Sequence, residues 1–296
     1  MTQVLERPEP AAGSGQPEVR PPHAQIQWVR SIPFFLVHLS PLLIFFTGVT
    51  KTALALFVVT YFGRMFFLTA TYHRYLAHRA FRLGRVSQFV FCFVGASAAQ
   101  KGPLWWAGHH RSHHKFSDTT RDIHSPRDGF WWSHVGWILS DRYSETPYDD
   151  IQDFAKYPEL RWLNKHDWVG PWSLGVVCFL IGGWSGLVVG FFASTVLLWH
   201  TTFIVNSLAH VFGHRRYETE DTSRNSLLIA LVTGGEGWHN NHHRYQSSAR
   251  QGFRWWQIDT TYYGLWLLAR IGIVKDLRPV PRRVIDEPRA QATTDS

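Results

Sequence analysis

The chain contains only two cysteines, Cys92 and Cys178, and both lie within apolar runs of its 296 residues. Two isolated cysteines exclude a disulfide framework and an iron–sulfur cluster, because each needs more of them. We therefore expect both to be small buried hydrophobic residues. The chain also lacks a G-x-G-x-x-G turn after a strand and a haem-attachment motif, so we expect no redox domain of its own.

The first 27 residues lack an apolar core and are rich in Pro, Gly, Ala, Glu and Gln, so no secretory signal peptide is expected there. Residues 1–27 and 279–296 both have the composition of disordered tails. A nucleic-acid-binding motif is also missing, although 30 Lys and Arg against 22 Asp and Glu give a formal charge of +8. Basic residues beside membrane spans explain this surplus, so we expect no nucleic-acid partner.

Long apolar runs are abundant. Hydrophobic residues make up 45% of the chain, which also contains 15 Trp, a residue that favours the membrane interface. Two apolar stretches are each interrupted once, at residues 48–52 and 182–186, and we interpret each as a hairpin that crosses a bilayer twice. The sequence thus predicts an all-α integral membrane protein with four transmembrane helices in two hairpins, at residues 32–48, 53–71, 169–184 and 187–208.

The remaining residues are expected to form a helical cap on the cytoplasmic side. The cap comprises residues 72–168 and 209–278, and it makes one domain with the spans over residues 28–278. Apolar runs at 86–99 and 262–274 are too short to span and are expected to be buried or amphipathic helices. Lys and Arg are concentrated in the tails and the cap, which predicts that both termini and the cap are cytoplasmic.

Three histidine clusters stand beside the apolar stretches. Residues on a helix are about 100° apart, so the H-x-x-H-H spacing brings three imidazoles to one face. An i, i+5 pair is about 140° apart on an ideal helix, and we expect that pair to lie across a helix end. The clusters are His73 and His78; His110, His113 and His114; and His239, His242 and His243.

The repetition of these clusters favours metal binding. One H-x-x-H-H motif can be a charged helix face, but two copies beside a third pair predict ligands. One zinc ion takes about three or four protein ligands. Eight imidazoles exceed that number, so two metal ions are expected. Imidazole suits Zn, Cu, Fe and Ni alike, and the residues alone leave the metal open.

The three clusters, their order and their placement around paired spans resemble the membrane-bound fatty acyl desaturases of the Δ9, stearoyl-CoA desaturase type. The resemblance covers about residues 32–272 and includes the phrases Lys-Phe-Ser-Asp at Lys115, Phe-Trp-Trp-Ser-His-Val-Gly-Trp at Phe130 and Asn-Ser-Leu-Ala-His at Asn206. It implies a cofactor of two non-haem iron ions. It also implies removal of two hydrogens from a fatty acyl chain, with O2 and two electrons, to give a cis double bond.

The resemblance assigns roles to individual residues. It implies nine histidine ligands, with Asn206 holding a metal-bound water. The carboxylates expected to orient ligand imidazoles are Asp118, Asp122 and Glu236, which could otherwise be ordinary surface acids. Gln100 and Trp106 match positions that line the substrate tunnel, although plain packing is the alternative for a Trp. The implied ligands are His73, His78, His110, His113, His114, His210, His239, His242 and His243.

Other polar residues receive no ligand role. His109 lies about 100° away from the His110 face on a helix, and His38, His124, His134 and His200 are also expected to be non-ligands. Arg64 would sit inside the membrane.

For Arg64 two interpretations stay open: a pairing within the helix bundle, or a role near the acyl chain.

The substrate and partners follow from the same resemblance. Acyl-CoA is the leading acyl carrier, but animal relatives have Arg-Asp beside the coenzyme A headgroup where this chain has Gly108 and His109. Acyl carrier protein and intact lipid therefore stay open. The electrons are expected from an external donor, a ferredoxin, cytochrome b5 or similar carrier with an NAD(P)H reductase.

Two rival functions remain at this point. A related membrane di-iron hydroxylase or alkane-type oxygenase would use the same metal site to insert oxygen. A histidine-rich metal transporter would place its ligands near mid-membrane along a path, whereas these clusters stand at the ends of spans.

Overall fold

The computed structural model describes residues 24–289, and its regular secondary structure is almost wholly helical. The α-helices of this part are α1 (Trp28–Leu39), α2 (Ile44–Thr47), α3 (Lys51–Phe67), α4 (Arg85–Ala96), α5 (Pro103–Phe116), α6 (Trp137–Leu139), α7 (Gln152–Ala155), α8 (Pro158–Lys165), α9 (Val169–Ser185), α10 (Ser194–Asn206), α11 (Leu227–Val232), α12 (His239–Arg244), α13 (Thr260–Arg270) and α14 (Arg282–Ile285).

Wider and tighter helical turns extend several of these helices. The π-helical segments are Leu68–Ala77, Trp132–Gly136 and Gly186–Ala193, and the 3-10 segments are Ser40–Leu43, Pro126–Asp128, Tyr148–Asp150 and Leu208–His210. The strands of the described residues, β1 (Arg82–Leu83) and β2 (Val274–Lys275), form a small antiparallel pair. The predicted all-α architecture is confirmed.

The first apolar hairpin consists of two helices that are long and apolar enough to cross a membrane. They run over Trp28–Thr47 and Lys51–Ala77, with 20 and 27 residues. Gly48 separates them with φ 64° and ψ −175°, a conformation that favours glycine. Thr50 then caps α3, because its side-chain oxygen accepts a hydrogen bond from the backbone N–H of Ala53 at 3.1 Å.

The second apolar stretch forms a single candidate span of 42 residues, Val169–His210, so the described residues contain three candidate spans rather than the four expected. The reason is that two helices meet at the single non-helical residue Gly183 (φ 60°, ψ −152°) with no loop between them. The chain reverses there, since a Cβ placed on Gly175 would contact the ring of Phe191 at 3.5 Å.

The tips of the two apolar segments contact each other through one serine. The Ser185 hydroxyl accepts a hydrogen bond from the backbone N–H of Thr50 at 3.2 Å and donates to the Gly48 carbonyl at 3.0 Å. Further along, the Thr60 hydroxyl donates to the Gly190 carbonyl at 2.6 Å. These bonds provide hydrogen-bond partners for backbone groups, which lipid could not do, and they fix the register of α3 against the second segment.

Arg64 lies in α3 and is only 2% exposed. Its guanidinium donates to the hydroxyls of Thr195 at 2.7 Å and Ser194 at 2.6 Å, and to the carbonyls of Thr60 at 3.0 Å and Ser97 at 3.4 Å. The observed arrangement is therefore the pairing within the bundle. Four neutral acceptors from three segments solvate the charge in place of a carboxylate.

The cap packs over one end of these helices around a core that includes Leu76, Leu104, Leu160 and Leu163, all 0% exposed. The short apolar runs are helices as predicted: α4 buries Cys92, and α13 buries Leu265 while its opposite face is exposed. Cys92 and Cys178 are both buried free thiols, as expected.

The expected tail boundaries need correction. Residues 1–23 and 290–296 lie outside the described residues, but residues 279–289 pack on the cap instead of forming the start of a disordered tail. Val284 is 2% exposed in a cluster with Tyr217 and Phe253, and Glu287 forms an ion pair with Arg244. Residues 25–27 also pair with residues 139–141 through backbone hydrogen bonds. The segment is charged and rich in proline, and it contains only one buried valine. It therefore has no periodic pattern of apolar residues from which its packing could be predicted.

The close approach at Gly190 leads to a first prediction. A Cβ at this position would lie 2.7 Å from the Cβ of Leu56, so Gly190→Ala must push two helices apart. We expect a loss of about 1–3 kcal/mol in stability, measured as a lower melting temperature of the detergent-solubilised protein. Gly63→Ala is the matched control within α3, because nothing lies within 4 Å of its added Cβ. A Gly190→Ala melting temperature equal to that of the control would contradict the packing.

Candidate metal centre

Helix α5 carries the central histidine cluster and is fixed at both ends. Pro103 occupies its first turn, where a missing N–H costs nothing, and the Asn164 side-chain oxygen accepts from the backbone N–H groups of Leu104 at 3.0 Å and Trp105 at 2.8 Å. The helix ends before Asp118, whose φ is 58°. The predicted helix with three imidazoles on one side is confirmed.

The last histidine cluster lies on α12, a helix of only six residues. Its two asparagines hold it in place, and both are 0% exposed. Asn240 accepts from the backbone N–H of Tyr217 at 2.7 Å, and Asn241 donates to the Gln251 carbonyl at 2.9 Å. Such a short helix is not stable alone, so these side-chain bonds to neighbouring loops take the place of helix length.

The first pair, His73 and His78, is joined by a π-helical turn. The backbone N–H of His78 donates to the His73 carbonyl at 3.2 Å, an i to i+5 bond, and His78 is the residue that ends the helix. The pair therefore lies at a helix end as expected. The wide turn also brings both imidazoles to the same side, whereas an α-helix would separate them by about 140°.

Five imidazoles converge in a first group, in which one nitrogen of each lies within 4.8 Å of all the others. The closest contacts in this group are between Nε2 atoms. The Nε2 of His114 lies 2.9 Å from that of His110 and 3.0 Å from that of His242. The Nε2 of His110 is 3.1 Å from that of His78, and the Nε2 of His242 is 3.0 Å from that of His73.

Four imidazoles form a second group under the same distance limit: His113, His210, His239 and His243. The Nε2 atoms of His210 and His239 are 3.1 Å apart. The Nε2 atoms of His113 and His243 are buried without a hydrogen-bond partner. Because α5 and α12 each supply consecutive histidines, one to each group, the two groups are neighbours. The rings of His114 and His243 have centroids 4.5 Å apart.

These distances fit bound cations better than hydrogen bonds between imidazoles. An imidazole Nε2 has one hydrogen or one lone pair, so the Nε2 of His114 cannot bond both of its neighbours. One cation accepts all the lone pairs together. With metal–nitrogen bonds of about 2.1 Å, ligands at right angles are about 3 Å apart, which matches the first group. All nine histidines implied by the sequence thus lie in two groups that can each hold a metal ion.

Carboxylates hold the outer nitrogens of four of these imidazoles. The Nδ1 atoms of His113, His243 and His73 contact the nearest carboxylate oxygens of Asp122, Asp221 and Glu236 at 2.8, 2.6 and 2.5 Å. A proton fixed on Nδ1 leaves the Nε2 lone pair directed into the group.

The fourth carboxylate contact involves His210, whose Nδ1 lies 3.4 Å from Asp118 and 3.2 Å from the Thr222 hydroxyl. Asp221 was not identified from the sequence. It stands 22 residues before His243 in a polar loop, and no regular spacing connects the two.

The pKa shifts of four histidines show that burial keeps their imidazoles uncharged. Burial, reinforced by neighbouring imidazoles, lowers the pKa values of His110, His114, His239 and His242 well below the usual range. These imidazoles are therefore neutral at pH 7, the form that binds metal.

The pKa values of the carboxylates are shifted in the direction opposite to the effect of burial. Burial alone would raise the pKa of Glu236, but His73 and Arg74 outweigh it and lower that pKa to about 2. The neighbouring imidazoles likewise hold the pKa values of Asp118, Asp122 and Asp221 well below the usual range, against the effect of burial. All four are ionised at pH 7, so they can orient a neutral imidazole or balance a bound cation.

A cavity of about 510 Å3 reaches the first group, and Gln100, Trp106, His110 and Asn206 all line it. Its size falls in the range of about 300–1,000 Å3 that is usual for small-molecule sites. The Gln100 side chain donates to the Thr202 hydroxyl at 3.0 Å, and Trp106 stacks on His110 with ring centroids 4.8 Å apart.

The histidines expected to be non-ligands have other surroundings. The His109 Nε2 lies 3.1 Å from the Glu145 carbonyl, and His38, His134 and His200 contact one another away from both groups. His124 stands closer than expected. With His113 and Asp122 it forms a third cluster of possible ligands, although His113 also belongs to the second group.

An apolar helical scaffold that carries two groups of converging imidazoles has the features of a histidine-rich membrane protein that can bind metal ions. Comparison with known proteins narrows this class. The family model described as Fatty acid desaturase matches residues 50–269. The chain therefore belongs to the fatty acid desaturase family, and it is an oxidoreductase.

Curated relatives support the same assignment. The chain is 38% identical over 259 residues to an sn-1 stearoyl-lipid 9-desaturase of Synechocystis sp., covering 80% of this chain and 79% of the relative. It is 36% identical over 253 residues to Delta-9 acyl-lipid desaturase 1 of Arabidopsis thaliana, covering 84% and 83%. It is 40% identical over 223 residues to Acyl-CoA 5-desaturase AL21 of Anemone leveillei, covering 74% and 69%. The resemblance drawn from the sequence is confirmed.

The contact between Asp221 and His243 leads to a second prediction. Asp221→Asn keeps the size of the side chain but removes the charge that orients His243, and we expect metal affinity to fall about 10–100-fold. Metal retained after dialysis against a graded chelator measures this. The matched control is Glu220→Gln, one residue away and exposed. Equal metal retention by both variants would exclude a role for Asp221 in the centre.

Proposed function

We propose that this protein is a fatty acid desaturase with a non-haem di-iron centre, which introduces a cis double bond at the Δ9 position of a saturated acyl chain. One observation carries the proposal: nine imidazoles converge in two groups, and the cavity reaches His110 of the first group. The balanced reaction converts CH2–CH2 to CH=CH while O2, two electrons and two protons give two waters. Two irons held there would supply the oxidising power that removes the two hydrogens.

The protein's own share is binding and orientation. In this proposal the five imidazoles of the first group hold one iron and the four of the second hold the other, with Asn206 adding a ligand through water. The carboxylates of Asp118, Asp122, Asp221 and Glu236 fix the direction of the imidazoles. No side-chain acid or base can remove a proton from an alkyl CH2, so the residues contribute by positioning the chain.

The cavity supports an acyl substrate. Its wall includes Phe34, Trp106, Trp199 and Phe203, apolar side chains that can surround a hydrocarbon chain and exclude water. Trp106 stacks on His110 of the first histidine group and Gln100 lines the same cavity, so both are placed to hold the reacting carbons near that group. The Δ9 position itself is inferred from the resemblance and from two relatives that are named as 9-desaturases.

Of the three acyl carriers left open by the sequence, acyl-CoA and a lipid-linked chain find support among the relatives, and acyl carrier protein does not. Acyl-CoA follows from the sequence resemblance, and one relative is named an acyl-CoA desaturase. A lipid-linked chain is favoured by the surroundings of Gly108 and His109. A Cβ on Gly108 would lie 2.8 Å from Pro147, and His109 is only 6% exposed, so neither place can present a side chain to a coenzyme A headgroup. Relatives named acyl-lipid and stearoyl-lipid desaturases agree with this candidate.

Electrons are proposed to come from outside the chain. The sequence contains no cysteine cluster and no dinucleotide-binding motif, so a ferredoxin, a cytochrome b5 or a similar carrier with an NAD(P)H reductase is the proposed source. The exposed residue Lys115 directly follows a ligand histidine of α5. It offers a positive charge near the centre for an acidic carrier, whereas the charge of Arg244 on α12 is already paired with Glu287.

The proposed topology has four spans, with both termini, the cap and the active site in the cytoplasm. The reversal at Gly183 divides the 42-residue helix into two arms, which supports two crossings instead of one. The turns at the opposite end carry only Lys51, while the basic residues lie in the cap.

Expression in a host that lacks Δ9 desaturation tests the reaction itself. We expect cis-monoenoic C16 or C18 chains with the double bond at carbon 9, detected by gas chromatography and mass spectrometry. Separate analysis of the newly labelled acyl-CoA and lipid pools distinguishes the two carriers by which pool gains the double bond first.

The matched pair of variants for this test is His210→Ala and His214→Ala. His210 belongs to the second group, whereas His214 is exposed four residues later. We expect product from the second variant and none from the first. Accumulation of hydroxy acids would support the oxygenase alternative, and an unchanged lipid profile from the intact protein would refute the proposal.

Labelling of single introduced cysteines tests the topology. Val49→Cys and Trp184→Cys place a thiol on exposed tips of the two hairpins, and Arg142→Cys and Glu218→Cys place one on exposed cap residues. The native thiols are buried and do not compete. A membrane-impermeant maleimide should label the tips on intact cells and the cap only after permeabilisation. Labelling of the cap on intact cells, or of one tip only from inside, would contradict four spans.

A further inference from the structure

Three imidazoles outside the metal groups form a continuous chain of contacts. The Nε2 of His38 lies 3.1 Å from the Nε2 of His200, and the Nδ1 of His200 lies 3.0 Å from the Nε2 of His134. The chain ends at Ser207, whose hydroxyl is 3.0 Å from the Nδ1 of His134. Because His200 uses a different nitrogen for each neighbour, the three rings follow one another in line and do not converge on one ion.

One backbone carbonyl sets the direction of every bond in this chain. The Nδ1 of His38 donates to the Phe34 carbonyl at 2.7 Å, so its neutral ring accepts at Nε2. His200 must then donate from Nε2 and accept at Nδ1, and His134 must donate from Nε2. The Nδ1 of His134 then accepts from the Ser207 hydroxyl, whose single hydrogen is shared with the Phe203 carbonyl at 3.1 Å. Burial, with His200 beside it, lowers the pKa of His134 to about 4, which keeps this ring neutral at pH 7.

The His134 end of this chain of contacts holds the C-terminal end of α10. The π-helical turn Trp132–Gly136 places Ser133 and His134 side by side, and the Ser133 hydroxyl donates to the Asn206 carbonyl at 2.6 Å. Ser133 and Ser207 are both 0% exposed, and His134 is 5% exposed. Adjacent residues of one turn therefore hold the adjacent residues Asn206 and Ser207.

These contacts lie at the C-terminal end of α10, where the helix provides no partner for its own carbonyl groups. Helix α10 ends at Asn206, and Ser207 caps it with φ −106° and ψ −68°, while its backbone N–H still donates to the Phe203 carbonyl. The last carbonyls of a helix have no intrahelical partner, so an outside donor decides how the final residue is held. Asn206 lines the cavity, and His210 of the second metal group follows four residues later.

We propose that Ser133 and His134 are positioning residues, which fix the end of α10 so that Asn206 can hold a water on the adjacent metal. The inference rests on the proposed di-iron function. It explains why the Ser-His pair of the Phe130 phrase is buried although neither residue can reach a metal group.

Two substitutions of His134 separate this role from simple packing. In His134→Asn the amide occupies the place of Nδ1, so the bond to Ser207 can persist while the bond to His200 is lost. In His134→Gln the longer amide occupies the place of Nε2, so the bond to His200 can persist while the bond to Ser207 is lost. His134→Ala loses both, and His200→Ala removes only the outer neighbour.

The Mössbauer spectrum of each protein loaded with ⁵⁷Fe is the main readout, together with iron content and the separate values of kcat and KM. We expect two irons in every variant. In His134→Gln and His134→Ala one of the two iron signals should shift, and kcat should fall at least about tenfold with KM unchanged, since small misplacements near the reacting atoms cost that much. His134→Asn and His200→Ala should keep the wild-type spectrum and most of kcat.

Two results would overturn the inference. One is a wild-type spectrum and kcat in His134→Gln, and the other is an equal loss in His134→Asn and His134→Gln, which plain packing predicts. Melting temperatures of the metal-free variants show whether any of them is merely unfolded. Failure of the proposed function is separate, because it would appear as a wild-type protein that binds no iron pair or makes no unsaturated product.

Discussion

The structure depends on the burial of many neutral imidazoles whose lone pairs face one another. Nine histidines direct nitrogens into two neighbouring groups, and within the first group single nitrogens face two neighbours at 2.9 and 3.0 Å. Such an arrangement is unfavourable without a cation, because buried polar atoms without partners cost free energy. The surrounding carboxylates favour the cation further, since four ionised groups stand behind the imidazoles and leave net negative charge in a buried region.

The rest of the fold can be understood as the means of bringing these residues together. The apolar segments deliver His73 and His210 to the cap at helix ends, where a π-turn and a 3-10 turn set their final directions. Two buried asparagines hold α12, and Asn164 caps α5. Within the membrane-facing part, Arg64 and Ser185 join helices through hydroxyl and carbonyl groups. Polar contacts therefore position the centre, and apolar burial stabilises the scaffold around it.

The sequence predicted those parts of the site in which spacing carries the information. The H-x-x-H-H repeats gave the helical faces of α5 and α12, and the glycine-rich breaks gave the turns at Gly48 and Gly183. The i, i+5 pair gave a helix end but not the π-turn, because helix type depends on packing around Leu68–Ala77. Asp221 was missed because its contact with His243 joins a loop to α12 across 22 residues, with no regular spacing between them. The order of residues 279–289 was missed because it depends on tertiary contacts of Val284 and Glu287.

The most direct test of the central claim is the position of the metal ions. Anomalous X-ray diffraction at the iron absorption edge, on crystals of the iron-loaded protein, locates them without assuming any ligand. The account predicts two anomalous peaks per chain, one surrounded by His73, His78, His110, His114 and His242, and the other by His113, His210, His239 and His243. A single peak per chain, or a peak held by His124 and Asp122 in place of the second group, would contradict it.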